Sequence, residues 1–156
     1  MPGNDLPAGN AVATESRPQS RAERRLALFL RAVGCLDLVA LIAAVMPQHW
    51  MDVGHKFVGL GPIPHDPIVG YLTRSASALY ALHGAMILFI SFDVVRYERL
   101  IRFMAIAALV HGAVILGIDL GEPLPPLWRY GEGPAFAATG VIVLWLQRNG
   151  KSLKKT

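Results

Sequence analysis

Four apolar runs, set off from one another by basic or proline-rich segments, constrain this chain more than any other feature. The first extends from Leu26 to Met46 and is stopped by Pro47. A run of about 20 apolar residues rising 1.5 Å each matches the roughly 30 Å hydrocarbon core of a bilayer. Hydrophobic residues make up 53% of the 156-residue chain, leaving too few polar side chains to cover a soluble surface. The expected fold is an all-α membrane protein, a four-transmembrane-helix bundle with spans at about 26–46, 67–92, 100–120 and 130–147. The expected divisions are a disordered cytoplasmic tail over 1–23, a membrane domain over 24–148 and a basic cytoplasmic tail over 149–156. The first run exceeds the roughly 7–15 residues of a signal-peptide core, and no Ala-x-Ala site follows it, so it reads as a retained helix.

Between the first two runs, Trp50, Val53, Phe57 and Leu60 recur at intervals of three and four, with Gln48, Asp52, His55 and Lys56 among them. That spacing predicts a short amphipathic helix in the membrane interface, ended by Gly61-Pro62-Ile63-Pro64. Pro67 falls where a helix tolerates a missing N–H, at its first turn. Pro123, Pro125 and Pro126 are expected to exclude helix from the loop after the third run. The fourth run is short and relies on Trp128 and Tyr130 as interfacial anchors.

Lysine and arginine fix the expected orientation. Eleven stand at the N-terminal flank (Arg17, Arg21, Arg24, Arg25), in the central loop (Arg96, Arg99, Arg102) and in the C-terminal tail (Arg148, Lys151, Lys154, Lys155). The other two loops hold only Lys56 and Arg129. Both termini are therefore expected on the cytoplasmic side of a cytoplasmic (inner) membrane. The bilayer is the expected partner, with a membrane protein or a second copy of the chain compatible with it. Nucleic acid is not expected, because no basic stripe interleaves with aromatics on a soluble element. Cys35, the single cysteine, allows no internal disulfide and reads as a small buried residue.

Ionisable groups inside hydrocarbon are costly, at about 2.5–3.5 kcal/mol each on insertion scales. Arg31 is near enough to its helix end to snorkel. Asp37, His83 and His111 lie 12, 10 and 11 residues from the basic ends of their helices, counted from Arg25, Asp93 and Leu100. That is about 15–18 Å, near the bilayer midplane. Tyr80 sits one turn from His83 on the same face. If their faces converge, Asp37, Tyr80, His83 and His111 form a ligand or proton site; otherwise they join helices by hydrogen bonds. Two histidines at one depth also admit haem b ligation through His83 and His111, but no attachment motif accompanies them and no cofactor is expected. No metal site is expected either. Leu82-His83-Gly84-Ala85 and Val110-His111-Gly112-Ala113 echo one another in oppositely directed spans.

Nearer the outer face, Arg74 and Asp119 each lie about 19 residues from the basic end of their helix, which predicts an ion pair extended by Glu122, Glu132, Asp66 and Arg129. Thr73, Ser77, Ala81 and Ala85 in the second span, and Ala113, Gly117 and Gly121 in the third, form small-residue stripes that predict close helix packing.

The four-span layout, with Arg31-x-x-Gly34 opening the first helix, resembles the small bacterial membrane proteins of the DoxX-like and BphX-like kind over about residues 24–147. The resemblance implies the fold and, for some DoxX-type proteins, a place in quinone-linked oxidoreductases; no Cys-x-x-Cys is present for cysteine chemistry. Three functions compete. The first is an accessory or small-ligand-binding bundle without catalytic chemistry of its own. The second is a proton-coupled transporter using Asp37, since small multidrug exporters place one acidic residue midway along the first of four helices. The third is a quinone- or haem-linked electron-transfer subunit. Gly-x-Ser-x-Gly, a phosphate-binding glycine-rich lysine loop and His-Glu-x-x-His are all missing, so the corresponding enzymes have no support.

Overall fold

The computed structural model describes residues 20–152, with side chains as far as Asn149. Residues 1–19 of the expected N-terminal tail and 153–156 of the C-terminal one lie outside the described residues. The described chain is all-helical, with α1 (Arg21–Val45), α2 (Gln48–Phe57), α3 (Pro67–Ser91), α4 (Glu98–Gly121), α5 (Pro126–Arg129) and α6 (Glu132–Ser152).

Helix α1 starts earlier than the apolar run. The Ser20 hydroxyl accepts the Glu23 N–H at 3.2 Å, and the Glu23 carboxylate accepts the Ser20 N–H at 2.9 Å. This reciprocal capping satisfies two otherwise orphaned donors and draws Arg21 to Arg25 into the first turns. Arg31 then leans back toward this end, its guanidinium 5.0 Å from the Phe92 ring centroid. Cys35, expected to be buried, is exposed on α1 instead.

Helix α2 has the expected amphipathic form and ends at Phe57, because Gly59 and Gly61 take positive φ values of 84° and 77°. Met51 faces inward, while Trp50, Val53 and Phe57 are 60%, 65% and 90% exposed. The Asp52 carboxylate anchors the helix, accepting Lys56 Nζ at 2.6 Å and the Ile63 N–H at 3.0 Å. The Lys56 hydrogen bond, then the Ile63 amide, hold this carboxyl below its ordinary range. A group depressed in this way contributes fully above its unfolded pKa and loses the contribution as pH falls through the folded one. The Ile63 amide chemical shift should therefore stay constant through the ordinary carboxylate range and move only at more acid pH. Asp52→Asn should abolish that transition, and a shift midpoint at the ordinary value would contradict it.

Asp66 caps α3, accepting the Ile68 N–H at 2.9 Å, and Pro67 occupies the first turn as expected. The loop after α4 corrects one expectation. Pro126 starts the helical turn α5, where its fixed φ and missing N–H fit a first helical position.

The four long helices pack as two antiparallel pairs, α1 with α3 and α4 with α6, joined through α1 and α6. Glycines set both pairings. A Cβ on Gly84 would lie 2.6 Å from Gly34 O and 2.8 Å from Leu38 N, so α1 and α3 touch backbone to backbone. A Cβ on Gly112 would lie 2.6 Å from Gly133 O and 2.8 Å from Ala137 N, with the same result for α4 and α6. Both His-Gly doublets thus place their glycine at a helix crossing. The stripe expected on α4 is not that crossing, since Gly117 and Gly121 have open space where a side chain would be. On α3, Ala81 is buried but Ala85 is exposed.

The bundle is closed at its basic end by Leu26, Leu30, Ile90, Val94, Ile101 and Leu146, part of one buried cluster. Away from that end, α3 and α4 diverge and leave a groove of about 480 Å³ between them. Among the described residues two helices, α1 and α4, are long and apolar enough to cross a membrane. The finding carries part of the four-span expectation. Helix α3 has 25 residues but carries Thr73, Arg74, Ser75, Ser77, Tyr80 and His83, and α6 holds Glu132 and Gln147.

Candidate functional site

The crossing at Gly34 and Gly84 positions the first polar pair. Asp37 follows Gly34 by one turn and His83 precedes Gly84, so close backbones bring the two side chains face to face. His83 Nδ1 lies 2.8 Å from Asp37 Oδ2. The Asp37 side chain is 16% exposed and that of His83 44%.

A second pair comes from a correction. Glu132 was expected on the outer rim with Arg74, Asp119 and Glu122, but it accepts a hydrogen bond from the Tyr80 hydroxyl at 3.1 Å. The reason lies in the length of α6. A Cβ on Gly133 would stand 2.7 Å from Leu116 N, so α6 begins beside Leu116 while α4 continues to Gly121. Five residues amount to about 7.5 Å, and α6 starts that far inside the end of its partner. Its first carboxylate is thereby carried inward. The partial positive charge of the α6 N-terminus favours an acidic residue there.

These two pairs face one cavity of about 280 Å³ between α1, α3, α4 and α6. Leu30, Ile87, Ile101, Ala105 and Val143 form the wall toward the sealed basic end. Tyr80 and Phe136 stack with centroids 6.2 Å apart and planes 22° apart, and both line the cavity. Tyr80, His83, Met104, Ala108 and Phe136 line the groove as well, so cavity and groove share a wall. His111 lines the groove alone, its ring edge-on to Phe136 at 4.7 Å. Asp37, Tyr80 and His83 therefore meet around one space, His111 joins them only through Phe136, and Glu132 is the member that depth counting placed elsewhere.

The expected ion pair between Arg74 and Asp119 does not form. Arg74 donates to Ala44 O and Met46 O, both at 2.9 Å. Arg129 likewise donates to Glu122 O at 2.9 Å and, through Nε, to Asp119 O at 3.5 Å. Each arginine satisfies carbonyls at the C-terminal end of a neighbouring helix, α1 or α4, where backbone acceptors are orphaned and the dipole attracts cations. The Glu122 carboxylate takes no part in this. Asp119 is 6% exposed, and its Oδ2 has no hydrogen-bond partner among the described residues. Nor do the described residues hold any group of three His, Cys, Asp or Glu placed to share a metal ion.

No protein-family profile matches the chain, and neither the curated proteins nor the solved structures yield a match.

Proposed function

We propose that the chain is a four-span bundle of a bacterial cytoplasmic membrane, with both termini inside, that binds a small lipid-soluble molecule at mid-depth and performs no catalysis. The observation that carries this reading is the cavity bearing Asp37, His83, Tyr80 and Glu132 on otherwise apolar walls. A site of this kind, mostly apolar with a few converging polar groups, suits a small ligand. Access would run sideways from the bilayer through the gap between α3 and α4, because the basic end is sealed.

The membrane placement draws on several features. Large apolar side chains point outward along the helices, among them Ile42 (57% exposed), Val45 (74%) and Phe103 (68%). In water such exposure would be unfavourable, and in lipid it is expected. The exposed apolar face of α2 suits the outer interface, and the bias of Lys and Arg toward one end suits the cytoplasmic side. The layout is also the one that resembles DoxX-like and BphX-like proteins.

The test is saturable binding of a neutral lipophilic dye, Nile red, to the protein in nanodiscs of phosphatidylethanolamine and phosphatidylglycerol. Ala108 lines both cavity and groove, so Ala108→Trp should fill the shared wall and weaken binding at least about tenfold while helix content is unchanged. Equal binding by this variant, or no saturable binding by the parent, would remove the ligand-binding reading.

The Asp37–His83 contact favours a second reading, proton-coupled transport through Asp37. Proton release on adding candidate cations to the unbuffered protein, lost in Asp37→Asn, would support it over simple binding.

A further inference from the structure

The polar groups of the cavity are unequal in charge. Asp37 has a basic partner in His83, whereas Glu132 receives only the neutral Tyr80 hydroxyl. Among the described residues no lysine or arginine pairs with either carboxylate. Arg74 and Arg129 are committed to backbone carbonyls. An ionised carboxylate facing an apolar cavity needs a counter-charge, because the loss of hydration is not otherwise compensated. Glu132 faces the cavity with the partial positive charge of the α6 N-terminus behind it and, among the described residues, no lysine or arginine to meet it.

The surroundings of Glu132 suit one kind of guest. Tyr80 binds Glu132 through its hydroxyl, and its ring stacks on Phe136, one turn along α6. Aromatic faces carry partial negative charge and attract cations, most strongly where water is excluded. Apart from Asp37, His83 and Thr139, the remaining walls are apolar, from Leu30, Val33 and Leu36 on α1 to Ile87 and Val143. They offer a hydrocarbon body dispersion contacts but no hydrogen bonds.

We propose that the cavity selects a lipophilic monocation, an amine or quaternary ammonium with a hydrocarbon body, its charge against Glu132 and the Tyr80–Phe136 rings. The inference rests on the ligand-binding reading and adds the charge of the ligand to it. A neutral guest of equal shape would gain the apolar contacts and leave Glu132 without its counter-charge.

The experiment uses the full chain in the same nanodiscs, with Nile red as the displaced reporter. Two competitors are compared: 4-phenylbutyl-trimethylammonium and its neutral carbon isostere, in which a tert-butyl group replaces the trimethylammonium. The cation is expected to displace the dye at a concentration at least about tenfold lower than the isostere. Glu132→Gln should abolish that preference by weakening the cation about tenfold or more and leaving the isostere unchanged. Phe136→Leu should weaken the cation several-fold. Glu132→Asp keeps the charge but withdraws it by one methylene, and should fall between parent and Glu132→Gln, which guards against misreading a folding defect. Equal displacement by the two competitors, or a cation preference that persists in Glu132→Gln, overturns the inference while ligand binding stands. Failure of the dye itself to bind saturably overturns both.

Discussion

Adding a single methyl group at Gly84 should cost the bundle about 2–3 kcal/mol, the upper part of the range for overpacked interiors. The reason is the identity of the atoms in the way. Alanine's Cβ would come 2.6 Å from Gly34 O and 2.8 Å from both Leu38 N and Asp37 Cβ. Backbone atoms cannot rotate aside as the end of a side chain can, so α1 and α3 must part. Parting them also stretches the Asp37–His83 contact of 2.8 Å, which depends on the same crossing. Unfolding in mild detergent, followed by circular dichroism, measures the first effect. The imidazole signals of His83, followed by NMR, measure the second. Gly117 supplies the control, because open space surrounds the position of its Cβ. Gly117→Ala should be neutral or slightly stabilising, as alanine is the better helix former. If Gly84→Ala unfolds with the parent, the close crossing is not what holds α1 to α3.

Removing Arg74 should cost at least as much. Its two hydrogen bonds to Ala44 O and Met46 O are partly buried, and hydrogen bonds to charged groups contribute about 1.5–3 kcal/mol each. Arg74→Leu is therefore expected to lower stability by about 3 kcal/mol, allowing for part of the loss being recovered by water at the helix end. Arg74→Lys should restore less than half, since an ammonium lacks the planar fork that spans two carbonyls at once. The exchange Arg74→Asp with Asp119→Arg distinguishes this from the depth-based expectation of an ion pair. A true pair would be rescued by the swap, whereas a carbonyl-binding arginine gives a double variant at least as unstable as its worse single variant, because uncoupled losses add. Recovery of parental stability by the swap would refute the carbonyl assignment.

The helices were legible in the sequence because their causes are local. Apolar length marked α1, α3 and α4, and the three-and-four spacing of Trp50, Val53 and Phe57 marked α2. The first turns of α1 were legible too, in Ser20-x-x-Glu23, but that capping signal was hidden among the polar residues of the N-terminal tail. The partners of the polar residues were less accessible. Counting residues from helix ends gives depth but not rotation, so it put Asp37 and His83 at one level and equally put Arg74 opposite Asp119. Only helix rotation separates a contact from a coincidence of height. Glu132 escaped for a different reason. Its depth depends on how far α6 falls short of α4, which is set by the register of Gly133 against Gly112 and Leu116, a contact between residues remote in sequence. The same contact sets where α6 begins, about five residues inside the end of α4.

The divergence of α3 from α4 has a mechanical meaning. Two helix pairs packed together at the basic end by Ile90, Val94, Ile101 and Leu146, and parted by a groove beyond it, are expected to open and close like tongs about that end. The softest motion of such an object is the spreading and closing of its free tips, with little bending inside either arm. A molecule gripped between the arms would stiffen that motion, so occupancy should register as slower amide exchange in the halves of α3 and α4 furthest from the pivot.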